Sequence, residues 1–258
     1  MKALFSGLAL ACGLMFSTHA SVASAQETAR AEAKNVVLVH GAWADGSSWS
    51  DVIPYLTAAG LNVISVQNPL TSLQDDAATA KRALALVNGP TVLAGHSYAG
   101  NVISEIGDDP KVSALVYVAA RAPDAGEDFN ALASRFPTMP VRAGIETHNG
   151  FSTIAKDAFL KFFANGVPAE KAQTLFAVQQ PVATDLFAGK TTTAAWHTKP
   201  SWYAVSKDDQ TTSPDLQRFL ANRMHATTVE LDSGHLSLVS HPKEIADLIL
   251  EAAGIPSH

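Results

Sequence analysis

Apolar residues in this chain follow two alternating patterns. Val36 to Val39 is a short, continuous apolar run rich in β-branched side chains, and it predicts a buried strand. Leu61 to Val66, Thr91 to Ala94 and Val112 to Ala119 predict three more strands. Between them, apolar positions recur at helical spacing. Trp49 to Ala59 predicts a helix stopped by Gly60, and Asp75 to Val87 one stopped by Asn88-Gly89-Pro90. Asn101 to Ile106 predicts a third, ending near Gly107. This rhythm predicts a mostly parallel sheet, covered by helices on both faces and joined by right-handed crossovers.

The rhythm breaks after Ala120. From Pro123 to Pro200 the chain holds several prolines and scattered aromatics such as Phe129, Phe159, Phe163 and Trp196, with no strong strand. Residues 123–200 therefore predict a helical cap inserted into the sheet. The alternation then resumes with a strand at Trp202 to Val205, a helix at Pro214 to Met224, a strand at Thr227 to Leu231 and a closing helix at Pro242 to Ala253. One α/β domain thus spans Asn35 to Ala253.

At 258 residues the chain is long enough for one large core, and its 47% hydrophobic and 16% charged residues suit an ordered globular protein. A net charge of −6 leaves no basic footprint for nucleic acid. Lys2, the apolar stretch Ala3 to Phe16 and Ala23-Ser24-Ala25 predict a signal peptide over residues 1–25, cut before Gln26. The expected destination is the periplasm or the exterior. The apolar stretch falls short of the roughly 20 residues that cross a bilayer, so no stable span is expected in the mature chain. A short membrane anchor is the alternative reading. Cys12 is the only cysteine and lies in this segment, so the mature chain would have no disulfide and no cysteine nucleophile. No H-E-x-x-H or comparable cluster predicts a metal, and no cofactor is expected.

The strongest chemical signal is Gly95-His96-Ser97-Tyr98-Ala99-Gly100, between a predicted strand and a predicted helix. In that context G-x-S-x-G forms a sharp turn that lifts a serine Oγ above the sheet, at a helix N-terminus. Here the last small position is Ala99, with Gly100 one further on. A second signal is His40-Gly41-Ala42, after the first strand. Acyl transfer builds negative charge on a carbonyl oxygen, and the backbone N–H groups of Ala42 and Tyr98 are the candidate oxyanion donors.

A serine nucleophile needs a base, and the base an orienting acid, in the chain order Ser, acid, His. Asp209 and His235 both follow late predicted strands, where such sites lie. Asp208 is the alternative acid, and Asp232 reads as a turn residue. Among the other histidines, His148 and His197 fall in the cap, His225 precedes a strand, and His241 precedes Pro242 at a helix start. His96 reads as a packing residue.

At these residues the sequence resembles the α/β-hydrolase superfamily, over Asn35 to Ala253. Val37-Leu38-Val39-His40-Gly41-Ala42, the serine motif and Leu231-Asp232-Ser233-Gly234-His235-Leu236 are similar to the branch holding methyl-salicylate-type esterases and hydroxynitrile lyases. The resemblance implies Ser97, Asp209 and His235 as a catalytic triad, and favours Asp209 over Asp208. Hydroxynitrile lyases carry threonine at the place of Gly41 and lysine at the place of Leu236, so the resemblance favours an esterase. The expected substrate is a small, fairly apolar ester, bound in an apolar pocket between cap and sheet. Amide or lactone hydrolysis, C–C cleavage, perhydrolysis and non-catalytic ligand binding are the alternatives.

Overall fold

In the computed structural model, which describes residues 32–256, Asn35–Val39 (β1) is buried along its whole length. A strand apolar on both faces belongs inside a covered sheet. Asn62–Ser65 (β2) lies along one side of β1 and Thr91–His96 (β3) along the other, both parallel to it. Val112–Val118 (β4) pairs in parallel with β3. The cap then contributes Ile145–His148 (β5), Phe151–Ile154 (β6) and Val182–Ala183 (β7), an antiparallel sheet of its own. Ser201–Ser206 (β8) returns beside β4, and Thr227–Leu231 (β9) closes the far edge. The main sheet has the order β2-β1-β3-β4-β8-β9.

The helices are Ile53–Ala58 (α1), Leu73–Ala85 (α2) and Ala99–Ile106 (α3), then Phe129–Ala133 (α4), Lys156–Ala158 (α5) and Ala169–Ala177 (α6) in the cap. Pro214–Arg223 (α7), Ser237–Ser240 (α8) and Pro242–Ala253 (α9) complete the fold. Among the described residues, no helix is long and apolar enough to cross a membrane. The predicted signal peptide lies outside the described residues.

The order of strands positions the site. From β1 the chain moves outward to β2, then crosses back to β3 on the opposite side. Connections diverge there, leaving a crevice at the carboxyl ends of β1 and β3. His40-Gly41-Ala42 follows β1 and Ser97 follows β3.

Three departures from the sequence expectations have local causes. The helix expected over Trp49 to Ala59 is a 3₁₀ turn at Gly46–Trp49 followed by α1. Asp45 caps that turn by accepting from the Ser47 N–H, and Pro54, lacking an N–H, sits in the first turn of α1. The helix expected from Asp75 begins at Leu73, because the Ser72 hydroxyl caps it by accepting from the Asp75 N–H. The cap is not purely helical. Its β5–β6 hairpin turns on Asn149 (φ +50°) and Gly150 (φ +83°), a pair suited to a two-residue turn with both residues left-handed. These cap elements lie between β4 and β8.

Candidate active site

Ser97 sits where β3 ends and α3 has yet to begin, at φ +53°. A non-glycine residue there is strained by about 1–2 kcal/mol and persists only if its surroundings hold it. Three backbone bonds do so. The Ser97 N–H donates to the Val118 carbonyl at 3.0 Å, and its carbonyl accepts from the N–H of Arg121 (2.9 Å) and of Gly100 (3.1 Å). A Cβ at Gly95 would lie 2.9 Å from the Ala99 carbonyl oxygen, and one at Gly100 would overlap the Arg121 carbonyl. Gly95 and Gly100 are thus the positions with no room for a side chain, and Ala99 is fully buried without conflict.

The turn leaves Ser97 half-buried beside a histidine. Its Oγ–H donates to His235 Nε2 at 2.9 Å, and His235 Nδ1–H donates to Asp209 Oδ2 at 2.7 Å. The side chains of His235 and Asp209 are fully buried. Asp209 Oδ1 accepts from the N–H groups of Thr211 (2.7 Å) and Thr212 (2.9 Å), and Oδ2 accepts from Gln217 Nε2 at 2.8 Å. Gln217 in turn accepts from the Ser206 N–H at 2.9 Å, tying the acid to the end of β8. Asp208 is exposed and its N–H donates to the Ser233 carbonyl. Asp232 is exposed and ion-pairs with Lys207. The structure therefore brings Ser97, His235 and Asp209 together and leaves Asp208 outside.

Two further histidines are buried nearby, and one of them braces this line. His96 Nε2–H donates to the His235 carbonyl at 3.0 Å, with its ring 4.7 Å from that of His235. Burial, reinforced by nearby His235, holds His96 well below the usual imidazole range, so it stays neutral. His40 Nδ1–H donates to the Gly41 carbonyl, and its Nε2 accepts from the Asn68 N–H, both at 2.9 Å. Burial lowers His40 as well. Beneath the elbow, Asp76 accepts from the Leu70 N–H and also interacts with the buried Tyr98 hydroxyl. Burial raises that carboxyl to about 6.

The loop after β1 runs against the elbow: a Cβ at Gly41 would meet the Ser97 Cβ and His96 Nδ1, each at 2.9 Å. This close approach sets Ala42 beside the serine. Neither the Ala42 nor the Tyr98 N–H has an acceptor among the described residues. Leu236 is buried and does not face the cavity.

Ser97 opens into a cavity of about 400 Å³ between the strand ends and the cap. One wall is aromatic, with Trp43, Phe129, Phe136 and Phe187. Aliphatic side chains such as Met139, Val141, Ile145 and Leu216 line the cavity too, together with polar ones, including Arg121, Asn130, Arg142, Thr211 and Thr212. The apolar pocket expected from the sequence is present, with two arginines and several other polar groups set into it. Phe163 closes the site over His235 at 5.2 Å. Gln217, the bracing role of His96 and the cavity position of Arg121 went unread in the sequence, because each depends on contacts between distant segments.

Residues 36–248 match the alpha/beta hydrolase family. The chain belongs to this family. A curated relative, a probable hydrolase from Phoma sp. (strain ATCC 20986 / MF5453), is 24% identical over 85% of this chain and 98% of its own. A solved pyrethroid hydrolase from Sphingobium faniae JZ-2 superimposes with a TM-score of 0.76 at 20% identity, covering 87% of this chain and 98% of that one. Polyneuridine aldehyde esterase superimposes with a TM-score of 0.73 at 19% identity, covering 85% and 99%. The fold is the α/β-hydrolase fold expected from the motifs, and hydrolase activity is the coarse function that family and relatives support.

Proposed function

We propose that this protein is a serine hydrolase that cleaves a carboxylic ester of a small, fairly apolar substrate through an acyl-enzyme on Ser97. The observation that carries this reading is the unbroken hydrogen-bond chain from Ser97 through His235 to Asp209, opening at the serine onto the cavity. His235 takes the Ser97 proton as Oγ attacks the ester carbonyl. Asp209 holds the imidazole in the required tautomer and stabilises the imidazolium. The Ala42 and Tyr98 N–H groups stabilise the oxyanion. His235 then protonates the departing alcohol, and water repeats the sequence on the acyl-enzyme, releasing the acid and restoring Ser97.

A fluorophosphonate probe and a p-nitrophenyl ester series test this. Wild type is expected to turn over short esters and to be labelled at Ser97. Ser97→Ala should lose labelling and at least about a thousandfold in kcat while unfolding at the same temperature. Full activity in Ser97→Ala would reject the nucleophile. We also propose that Met1 to Ala25 directs export and is removed; N-terminal sequencing of the exported protein should begin at Gln26.

A further inference from the structure

Two half-buried arginines in this fold are treated very differently. Arg223 is held by Glu127, with Nη1 at 2.8 Å and Nη2 at 3.1 Å from the two carboxylate oxygens. Arg121 ion-pairs with no carboxylate among the described residues. Its guanidinium instead lies 4.8 Å over the ring of Phe129 and 4.7 Å over that of Phe187. It donates only two long hydrogen bonds, to the Phe187 carbonyl at 3.4 Å and to Asn130 Oδ1 at 3.5 Å.

This unneutralised cation faces the cavity that Ser97 opens into. The one other charged side chain lining that cavity is Arg142, on an exposed turn of the cap. Among the described residues no carboxylate lines it, although the chain as a whole carries −6. Burial draws Arg121 down to about 10, with Arg142 pushing in the same direction, so it remains cationic at neutral pH. Removing a guanidinium from water without an anionic partner is unfavourable, and a second like charge on the same cavity adds to that. A carboxylate placed between them relieves both, and guanidinium–carboxylate bonds are strong and directional. Arg121 is also fixed relative to the nucleophile, since its N–H donates to the Ser97 carbonyl at 2.9 Å.

We propose that Arg121, with Arg142 at the rim, is an anion subsite, and that the preferred substrates are esters whose fairly apolar body ends in a carboxylate, as in half-esters of dicarboxylic acids. The aromatic wall takes the methylene chain, Arg121 takes the carboxylate, and the ester carbonyl is left at Ser97. The proposal rests on Ser97 being the nucleophile of an esterase.

The test compares matched methyl esters by pH-stat: monomethyl succinate, glutarate and adipate against methyl butyrate, pentanoate and hexanoate. Each pair differs by a carboxylate in place of a methyl group. In wild type, kcat/KM for the half-ester should exceed that for its neutral partner by about tenfold or more at one chain length at least. Arg121→Gln should abolish that preference, Arg121→Lys should retain part of it, and Arg142→Gln should reduce it a few-fold. If neutral esters are turned over and half-esters are nowhere preferred, the esterase reading stands and the subsite is overturned. A preference that survives in a folded Arg121→Gln also overturns it. If neither class is hydrolysed, the esterase reading fails. Calorimetric titration of glutarate and adipate then decides the subsite: saturable binding to wild type that is lost in Arg121→Gln supports it, and no binding overturns it. Should Arg121→Gln fail to fold, the wild-type preference and its response to Arg142→Gln decide.

Discussion

The strand ends and the cap face each other across one cavity, and they are built in opposite ways. On the strand-end side, polar groups of the site are bound at close range: Asp209 alone accepts three hydrogen bonds besides that from His235. On the cap side, Phe129 and Phe136 stand with the exposed Arg142, and Arg121, just past the end of β4, reaches over Phe129 with no carboxylate partner among the described residues. A crowded, fully bonded network fixes geometry, which bond-making requires. An aromatic wall with one unneutralised charge selects what enters, and it tolerates change. In the proposed reading, the difference teaches that bond-making rests on the bonded strand ends, while selection is shared between the cap and Arg121.

The sharpest way to break this division is at the acid. Asp209→Asn places an amide against His235 Nδ1 and disturbs the tautomer, so kcat should fall by about ten-thousandfold with the fold intact. A loss under tenfold, measured by steady-state kinetics and circular dichroism, would mean that the bonded network is not what sets the rate. Next in size is the support beneath the elbow. Asp76 is pushed up to about 6 from an ordinary 3.8. The folded chain then holds that proton more tightly than the unfolded chain does. Its contribution is therefore lost as pH rises from about 4 through 6, by up to roughly 3 kcal/mol. Asp76→Asn should remove this slope, so the wild-type-to-variant difference in urea unfolding free energy should change between about pH 4 and about pH 7. A difference independent of pH would assign the elbow's support elsewhere. The smallest effect is expected in the cap. Phe136→Ala should alter kcat/KM by less than about tenfold and shift the preferred acyl length, read across an ester series. A loss as large as that of Asp209→Asn would erase the distinction between the two walls.

The same division explains what could be read in advance. Ala42 and Ser97 come just after short apolar strands and His235 comes shortly after β9, so local pattern and a few adjacent residues pointed to them. Asp209 needed more, because Asp208 is chemically equal and adjacent; burial and Gln217 separate the two. In the cap the Asn149-Gly150 signal for a hairpin was present but unread, since the residues around it lack clean alternation. Strand β7 was not legible at all, as it pairs with β6 from some thirty residues away, Ser152 against Val182.

By itself the sequence determined the α/β alternation and the order of Ser97, Asp209 and His235 past successive strands. Those follow from hydrophobic period, turn chemistry and spacing, which act over a few residues. Tertiary structure alone decided that Gln217 and two backbone N–H groups hold Asp209 against His235, that His96 braces His235 through a backbone carbonyl, and that Arg121 meets Ser97's cavity without a carboxylate among the described residues. These depend on where distant segments come to lie. A charge has no partner, or one, only after the chain has closed around it.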